Sequence, residues 1–256
     1  MTREVRRARG WRAVLVDARF WTVIGTVAIF VLFDRVASYL GSVRGERGLT
    51  VCAVVVVATV WMEWSLSRRD LRASLRAIGL GAPIPRALGM SVALSLAMLG
   101  FFPAYAALSG ETLRVRDDWL ALLPGLFAQA GIAEEVLFRG FLFRRVRGEG
   151  SFARGAARAV LPFALAHVVL LFSMDASVAL VAVLLSITIS IPLSWLFERG
   201  GGAVWPAAVL HCTVQGSIKV VETDGSAIQL AIAWMAFAAV APFIVFSLRP
   251  RPSEGA

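Results

Sequence analysis

The chain alternates between long apolar runs and short polar links, which is the pattern of a protein that crosses a membrane several times. An α-helix needs about 20 apolar residues to cross the hydrocarbon core, so each run of this length predicts one span. The predicted spans cover residues 21–40, 49–66, 89–108, 119–143, 159–172, 177–197, 204–221 and 227–248. We therefore expect an all-α polytopic membrane protein with about eight transmembrane helices in one bundle, forming a single integral membrane domain over residues 1–256.

One link has a helical pattern of its own. Between the second and third runs, Leu71, Leu75 and Ile78 recur at the spacing of one helix face. Three arginines interleave on the other side: Arg69, Arg72 and Arg76. This arrangement predicts an interfacial amphipathic helix that lies along the inner membrane surface.

The composition supports a membrane protein and excludes other classes. Hydrophobic residues make up 58% of the chain, charged residues make up 17%, and the mean hydropathy is +0.75. A soluble domain has roughly 45–50% apolar and about 25% charged residues. The apolar content is too high for intrinsic disorder, and two cysteines are too few for a disulfide-built secreted module.

The charge is strongly basic, with a net +9 and 25 arginines among 26 basic residues. Such an excess in a soluble protein would suggest nucleic-acid binding, but here the arginines lie in the links between apolar runs. Nineteen arginines lie in one set of links and four in the opposite set. Because basic residues favour the cytoplasmic side, we expect both termini in the cytoplasm, the inner (plasma) membrane as location, and no nucleic-acid partner. The near absence of lysine is typical of a GC-rich bacterial genome.

Five ionisable residues inside predicted spans are candidates for chemistry. Glu134, Glu135 and Arg139 are in the fourth run, and the two histidines of the chain, His167 and His211, are in the fifth and seventh. Each such group costs about 2.5–3.5 kcal/mol at a helix centre, which makes it a functional candidate. At 1.5 Å per residue, Glu134 and both histidines lie about 13–15 Å from the cytoplasmic edge, so one carboxylate and two imidazoles share one level.

Helical spacing suggests a role for each polar residue. Glu135 and Arg139 are four residues apart with the acid first, which favours an ion pair along one face. Glu134 points about 100° away from Glu135 and has no partner on its own helix, which makes it the better general base. His211 and Gln215 are also four apart and offer two hydrogen-bond donors to a developing oxyanion.

Four other charged residues in the runs are not assigned any chemistry, and two of them, Asp34 and Arg35, lie near the outer end of the first span, where their side chains can reach water. Glu63 is near the inner end of the second span, and Lys219 is near the outer end of the seventh. Long side chains near the end of a span can reach water, so we expect both to do so.

Three short motifs follow one another in these runs: Glu134-Glu135 with Arg139 and then Gly140-Phe141, Phe163 with His167, and His211 with Gln215. In this order they resemble the CPBP family of CAAX prenyl proteases and bacteriocin-processing peptidases, which includes the type II CAAX prenyl proteases. The resemblance covers about residues 119–221. It departs from the family pattern at Gln215, where the family has asparagine.

The resemblance implies a glutamate-dependent intramembrane endopeptidase that cuts near the C-terminus or leader of a membrane-associated protein, without a metal or cofactor. It implies that Glu134, helped by His167, activates the attacking water, and that the Glu135–Arg139 pair supports the site. It also implies that His211 with residue 215 stabilises the oxyanion. Glutamine lengthens that arm by one methylene, and its amide can still donate.

Two alternatives remain at the level of sequence. Glu134, His167 and His211 can complete a three-ligand zinc site, although the chain has no HExxH helix. The same buried charges can also belong to a transporter or a non-catalytic membrane partner. The expected partners are the lipid bilayer and a membrane-anchored protein or peptide; prenylated proteins and bacteriocin leaders both fit.

Overall fold

The computed structural model describes residues 3–41, 45–148 and 150–248. Three arginines counted for orientation, Arg44, Arg249 and Arg251, lie outside the described residues. The α-helices are α1 (Arg3–Leu40), α2 (Glu46–Ser67), α3 (Leu71–Ala77), α4 (Pro85–Leu99), α5 (Phe101–Ser109), α6 (Trp119–Leu126), α7 (Arg144–Arg147), α8 (Phe152–His167), α9 (Ala176–Arg199), α10 (Trp205–Val220) and α11 (Ala227–Ala238). Two π-helical segments cover Phe127–Ala133 and Val136–Phe143, two 3₁₀ segments cover Val168–Phe172 and Ala241–Ser247, and two strands are β1 (Leu113–Val115) and β2 (Val221–Thr223).

Within the described residues, seven helical segments are long and apolar enough to cross a membrane. They are Phe20–Leu40, Arg47–Ser67, Pro85–Ser109, Trp119–Arg147, Phe152–Phe172, Ala176–Arg199 and Ala227–Ser247. The expectation of about eight is close, because α10 occupies the place of the remaining predicted span. With 16 residues α10 is about 24 Å long, which is shorter than the hydrocarbon core. The protein is an all-α, multi-pass membrane protein.

The segment Trp119–Arg147 is a continuous helix, here named the motif helix, at the centre of the bundle. Burial covers 56% of its apolar window, against 22–33% for the other six spans. Every side chain of residues 133–143 is buried. The two π-helical segments flank Glu134 and Glu135 on either side, a feature that the sequence pattern did not predict. Such widened turns are frequent at functional sites, because they change the direction of the side chains they carry.

A short helix is present in the link where an interfacial helix was predicted, and its end turns into the protein. Helix α3 begins after Asp70, whose side chain accepts a hydrogen bond from the amide of Ala73. Leu71 is 64% exposed, whereas Ile78 is fully buried. The backbone of Ile78 lies against Gly140 of the motif helix, where a Cβ would stand 2.0 Å from the Ile78 carbonyl oxygen. Only glycine permits this approach.

Glu63 does not reach water, so the expectation for this residue was wrong. Its side chain is fully buried near the C-terminal end of α2. Arg144 and Arg145 of the motif helix donate to its Oε2 at 2.5 and 2.8 Å, and Ser67 donates to its Oε1 at 3.1 Å. We name these four residues the anchor cluster. It fixes the arginine-rich end of the motif helix to α2.

A short antiparallel ribbon of β1 and β2 joins the N-terminal side of the motif helix to the C-terminal side of α10. Leu113 pairs with Thr223 and Val115 pairs with Val221. The ribbon therefore connects the link before the motif helix to the residues that follow α10. It was not predicted, because three-residue strands are too short to show an alternating pattern. The ribbon holds the two helices side by side at this end.

Candidate active site

The motif helix and α10 approach each other closely just before Glu134. A Cβ on Gly131 would lie 3.0 Å from the carbonyl oxygen of Ala208. Ala207 and Ala208 on the facing helix are fully buried. Small residues on both sides let the backbones approach, which brings the polar side chains of the next turn within contact distance.

Glu135 connects two other side chains in the interior of the protein. Its Oε1 accepts hydrogen bonds from Arg139 Nη1 at 2.9 Å and from His211 Nδ1 at 2.7 Å. Glu135, Arg139 and His211 are at most 2% exposed. The predicted Glu135–Arg139 ion pair is present, and the contact with His211 was not predicted. An ionised carboxylate only accepts, so His211 carries a proton on Nδ1 and directs Nε2 away from Glu135.

Glu134 faces α10 and finds its partners there. Its Oε1 is 3.4 Å from Gln215 Nε2, and its Oε2 is 3.8 Å from His211 Nε2. The Nε2 atoms of Gln215 and His211 are themselves 3.4 Å apart. Glu134 keeps 7% of its surface exposed, whereas Glu135 keeps none. The Glu134 carboxylate and the Nε2 atoms of His211 and Gln215 are thus 3.4–3.8 Å from one another. We name Glu134, Glu135, Arg139, His211 and Gln215 the site cluster.

His167 is the last residue of α8 and lies at the side of the site cluster. Its Nδ1 is 2.8 Å from the carbonyl oxygen of Phe163, which can only accept, so the proton is on Nδ1 and the lone pair is on Nε2. The Phe163 ring lies 4.7 Å from the His167 ring and 5.9 Å from the His211 ring, centroid to centroid.

Phe163 has a larger part in the site than the sequence suggested. The guanidinium carbon of Arg139 is 4.2 Å from the centroid of its ring, a cation–π contact within the protein interior. Phe163 is fully buried, and it touches both imidazoles. The ring therefore fixes the position of α8 relative to the motif helix and α10.

The two ends of the site cluster differ in exposure. Towards the arginine-rich end, the motif helix is buried as far as Phe143. Towards the ribbon end, Gln129 and Ile132 of the motif helix and Gln215 and Lys219 of α10 are partly exposed. The site is therefore less enclosed on the side of the β ribbon.

Among the described residues, no group of three His, Cys, Asp or Glu side chains has an arrangement that can hold a metal ion. The set considered above for zinc, Glu134, His167 and His211, is included in that statement. Instead, Nδ1 of His211 is bound to Glu135 and Nδ1 of His167 to a backbone carbonyl. Each ring is thus already oriented by a protein partner.

Fold and site together define a class: an all-α membrane protein with buried carboxylate and imidazole groups on three neighbouring helices. Residues 116–217 match the family model of the type II CAAX prenyl endopeptidase, Rce1-like. The matched segment contains all six predicted site residues and confirms the resemblance to the CPBP family of CAAX proteases. It indicates a membrane-embedded peptide hydrolase. No curated protein matches the chain.

Sequence reasoning missed one polar residue next to the site. Lys219 was expected only to reach water; it is partly exposed, and its Nζ also donates to Oε1 of Gln215 at 3.3 Å. The signal was available in the spacing, because His211, Gln215 and Lys219 follow each other at intervals of four residues on one face of α10.

Proposed function

We propose that the protein is an intramembrane endopeptidase that hydrolyses a peptide bond near the C-terminus or leader of a membrane-associated protein, with a water molecule activated by Glu134. The observation that supports this most directly is the convergence of the Glu134 carboxylate with the Nε2 atoms of His211 and Gln215, at 3.8 and 3.4 Å. A base and two potential donors at one point are what acyl transfer to water requires.

In this proposal the attacking water is held between two acceptors. Glu134 is ionised and accepts one hydrogen of the water, and the Nε2 lone pair of His167 accepts the other. As the water oxygen attacks the scissile carbonyl carbon, its proton passes to Glu134. The carbonyl π electrons move onto the oxygen, which becomes the oxyanion of a tetrahedral intermediate.

The oxyanion is stabilised from α10. Gln215 donates through its side-chain NH₂, and His211 donates through Nε2–H when its ring is protonated. The carboxylate of Glu135, which accepts the Nδ1 proton at 2.7 Å, stabilises a positive charge on that ring. Arg139 holds Glu135 in place at 2.9 Å. The intermediate then collapses, the C–N bond breaks, and Glu134 returns its proton to the leaving amine.

The proposal also includes the orientation of the protein in the membrane and the kind of substrate. The arginine distribution supports an orientation with both termini in the cytoplasm of the inner (plasma) membrane. The substrate is a membrane-anchored protein or peptide that presents a flexible segment to the site. The chain acts as one integral membrane domain, and residues 119–221 carry its chemistry.

The test is cleavage by the purified protein in liposomes. Farnesylated peptides with a C-terminal CAAX sequence and unprenylated peptides of equal length are offered separately, and products are identified by mass spectrometry. We expect an internal cut that Glu134→Gln abolishes and that a strong chelator leaves unchanged. The matched control is Glu198→Gln, which changes a carboxylate that pairs with Arg147 at 2.8 Å, away from the site cluster.

Cleavage that survives in Glu134→Gln would contradict the role of this carboxylate. Cleavage that stops on chelation and returns with zinc would favour a metallopeptidase. If no peptide is cut while a solute crosses the liposome membrane in a Glu134-dependent way, the protein is a transporter and the proposal is wrong.

A further inference from the structure

Lys219 is the single lysine of the chain and lies one helical turn beyond Gln215. Its ammonium donates to Gln215 Oε1 at 3.3 Å, within a partly buried stretch of α10. The same face of α10 carries His211 one turn earlier. The three residues therefore form a polar row that leads from the site cluster towards the β ribbon.

Two charged neighbours of the Gln215 amide, Lys219 and Glu134, impose the same orientation on it. A primary amide has an accepting oxygen and a donating NH₂ group, and a rotation of 180° exchanges them. An ammonium only donates, so Lys219 binds the oxygen. An ionised carboxylate only accepts, so Glu134 attracts the NH₂ group, whose nitrogen is 3.4 Å from its Oε1. In the reversed orientation, the NH₂ group would face the Lys219 ammonium and the amide oxygen would face the Glu134 carboxylate.

Glutamine needs this support more than asparagine would. Its side chain has one more rotatable bond, so more conformations must be given up to hold the amide at one point. Residue 215 is also where the chain departs from the asparagine of the family motif, with an arm that is one methylene longer. The longer arm brings the amide oxygen within reach of the next turn, where Lys219 is found.

We propose that Lys219 is a positioning residue that holds the Gln215 amide with its NH₂ group directed at the reacting carbonyl oxygen. The proposal rests on the proposed function, because it assigns a supporting residue to the same site. Lys219 acts only through Gln215 and does not contact the substrate.

The first test is Lys219→Met, which keeps the length of the side chain and removes the donor. Removal of a complete oxyanion donor costs about 10²–10³ in kcat, and a donor that is only misdirected part of the time costs less, about tenfold. We expect this tenfold loss in kcat with KM changed less than about twofold, and recovery of most of the loss in Lys219→Arg, which keeps a donor at this position.

The second test separates positioning from a general effect of the positive charge. In Gln215→Asn the amide retreats from Lys219 by one methylene, so adding Lys219→Met to this variant should change kcat less than about twofold. A purely electrostatic effect would give the same tenfold loss in both backgrounds and would overturn the proposal. Arg114→Met is the matched control, because it removes an exposed cation from the β ribbon and should leave kcat unchanged.

A third measurement does not depend on turnover. The chain has three glutamines, Gln129, Gln215 and Gln229, so side-chain ¹⁵N labelling of glutamine gives three NH₂ signals in detergent micelles. The signal that disappears in Gln215→Asn belongs to residue 215. We expect it to shift in Lys219→Met more than the other two signals do.

An unmoved Gln215 signal in a folded Lys219→Met protein, or an unchanged kcat, would overturn the proposal. If Lys219→Met does not fold, Lys219→Arg replaces it in the NMR comparison, and a Gln215 signal that is identical in wild type and Lys219→Arg counts against the contact. A shifted signal in a protein that cleaves nothing would support the contact and contradict the proposed function, so the two failures are distinguishable.

Discussion

The anchor cluster and the site cluster each contain a carboxylate without exposed surface, and they use it differently. Glu63 accepts from Arg144 and Arg145 through one oxygen and from Ser67 through the other. Glu135 accepts from Arg139 and His211, both through Oε1. Both carboxylates therefore have two nitrogen partners, but only that of Glu63 uses both oxygens.

The difference is visible in the atoms that have no partner. Among the described residues, Oε2 of Glu135 and Nη2 of Arg139 are buried without a hydrogen bond, whereas both oxygens of Glu63 are bound. A buried polar atom without a partner costs about 1–3 kcal/mol. The anchor cluster is thus arranged for stability, and the site cluster retains unused hydrogen-bonding capacity next to the reacting groups, as functional sites often do.

The largest expected effect is a loss of kcat, without a loss of folding, in variants of the site cluster. Glu134→Ala removes the proposed base and His211→Ala removes a proposed oxyanion donor, and general base catalysis contributes about 10²–10⁴-fold. We expect each variant to lose at least about 10³-fold in kcat and to remain monodisperse in size-exclusion chromatography. Full turnover in either variant would disprove the role of that residue.

The next effect contrasts the two fully buried carboxylates directly. Glu135→Gln keeps a hydrogen-bond acceptor for Arg139 but removes the charge that supports a protonated His211. We expect a loss of about 10²-fold in kcat, comparable to the loss of one oxyanion donor. Single-turnover assays measure it. If Glu135→Gln loses thermal stability and keeps its kcat, the two clusters do not differ in the way described.

Glu63→Gln should give the opposite result. It leaves two arginines facing a neutral amide, and breaking a fully buried pair costs roughly 3–5 kcal/mol. The arginine side chains are 29% and 17% exposed, so water compensates in part and we expect a loss of about 2 kcal/mol. Thermal unfolding in detergent measures this loss, and kcat at low temperature should change less than about threefold.

A comparable effect concerns Gly140, which lets Ile78 pack against the motif helix. In Gly140→Ala the new Cβ would stand 2.0 Å from the Ile78 carbonyl oxygen, so α3 or the motif helix must move. We expect a loss of about 1–3 kcal/mol in unfolding free energy, the usual cost of overpacking. Gly89→Ala is the control, because no atom lies within 4 Å of its Cβ and alanine favours the helix. Equal stability of both variants would contradict the close contact.

The smallest effect is expected at the exposed β ribbon. The Arg116 guanidinium, by its hydrogen bonds to Asp118, holds the pKa of that carboxyl below its usual range. A lowered pKa means that the ion pair stabilises the folded state at neutral pH and that this contribution is lost as the pH falls through the carboxylate range. The Arg116–Asp118 pair is exposed and screened by salt, so its contribution is small. The thermal unfolding midpoint of Asp118→Asn should therefore be close to that of wild type at neutral pH, and the two should converge at acid pH. A large difference at neutral pH would show that the ribbon matters more than its exposure suggests.

The sequence alone predicted the class of the protein and named the residues that the structure brings together in the site cluster. The apolar runs gave the spans because the thickness of the bilayer fixes the length of a helix. Glu134, Glu135, Arg139 and the two histidines stood out because charges inside such runs are costly. The Glu135–Arg139 pair followed from spacing on one helix, and the family from three motifs in order.

The contacts between helices could not be predicted in this way. The Glu135–His211 hydrogen bond joins residues that are 76 positions apart, and the Glu63 bond to Arg144 joins residues that are 81 positions apart. Glu63 was misjudged because its distance from the end of a span says nothing about which helix covers it. The β ribbon escaped notice because its strands have only three residues each.

The amino-acid sequence by itself determined that costly polar groups are buried in a membrane bundle, since hydropathy and helical periodicity are local properties. Only the tertiary structure decided which of them meet. The π-helical turns around Glu134 and Glu135, the glycine contacts at Gly131 and Gly140, and the closure of the β ribbon set the distances and rotations between helices. These depend on the packing of backbones against each other, and that packing is a property of the whole bundle.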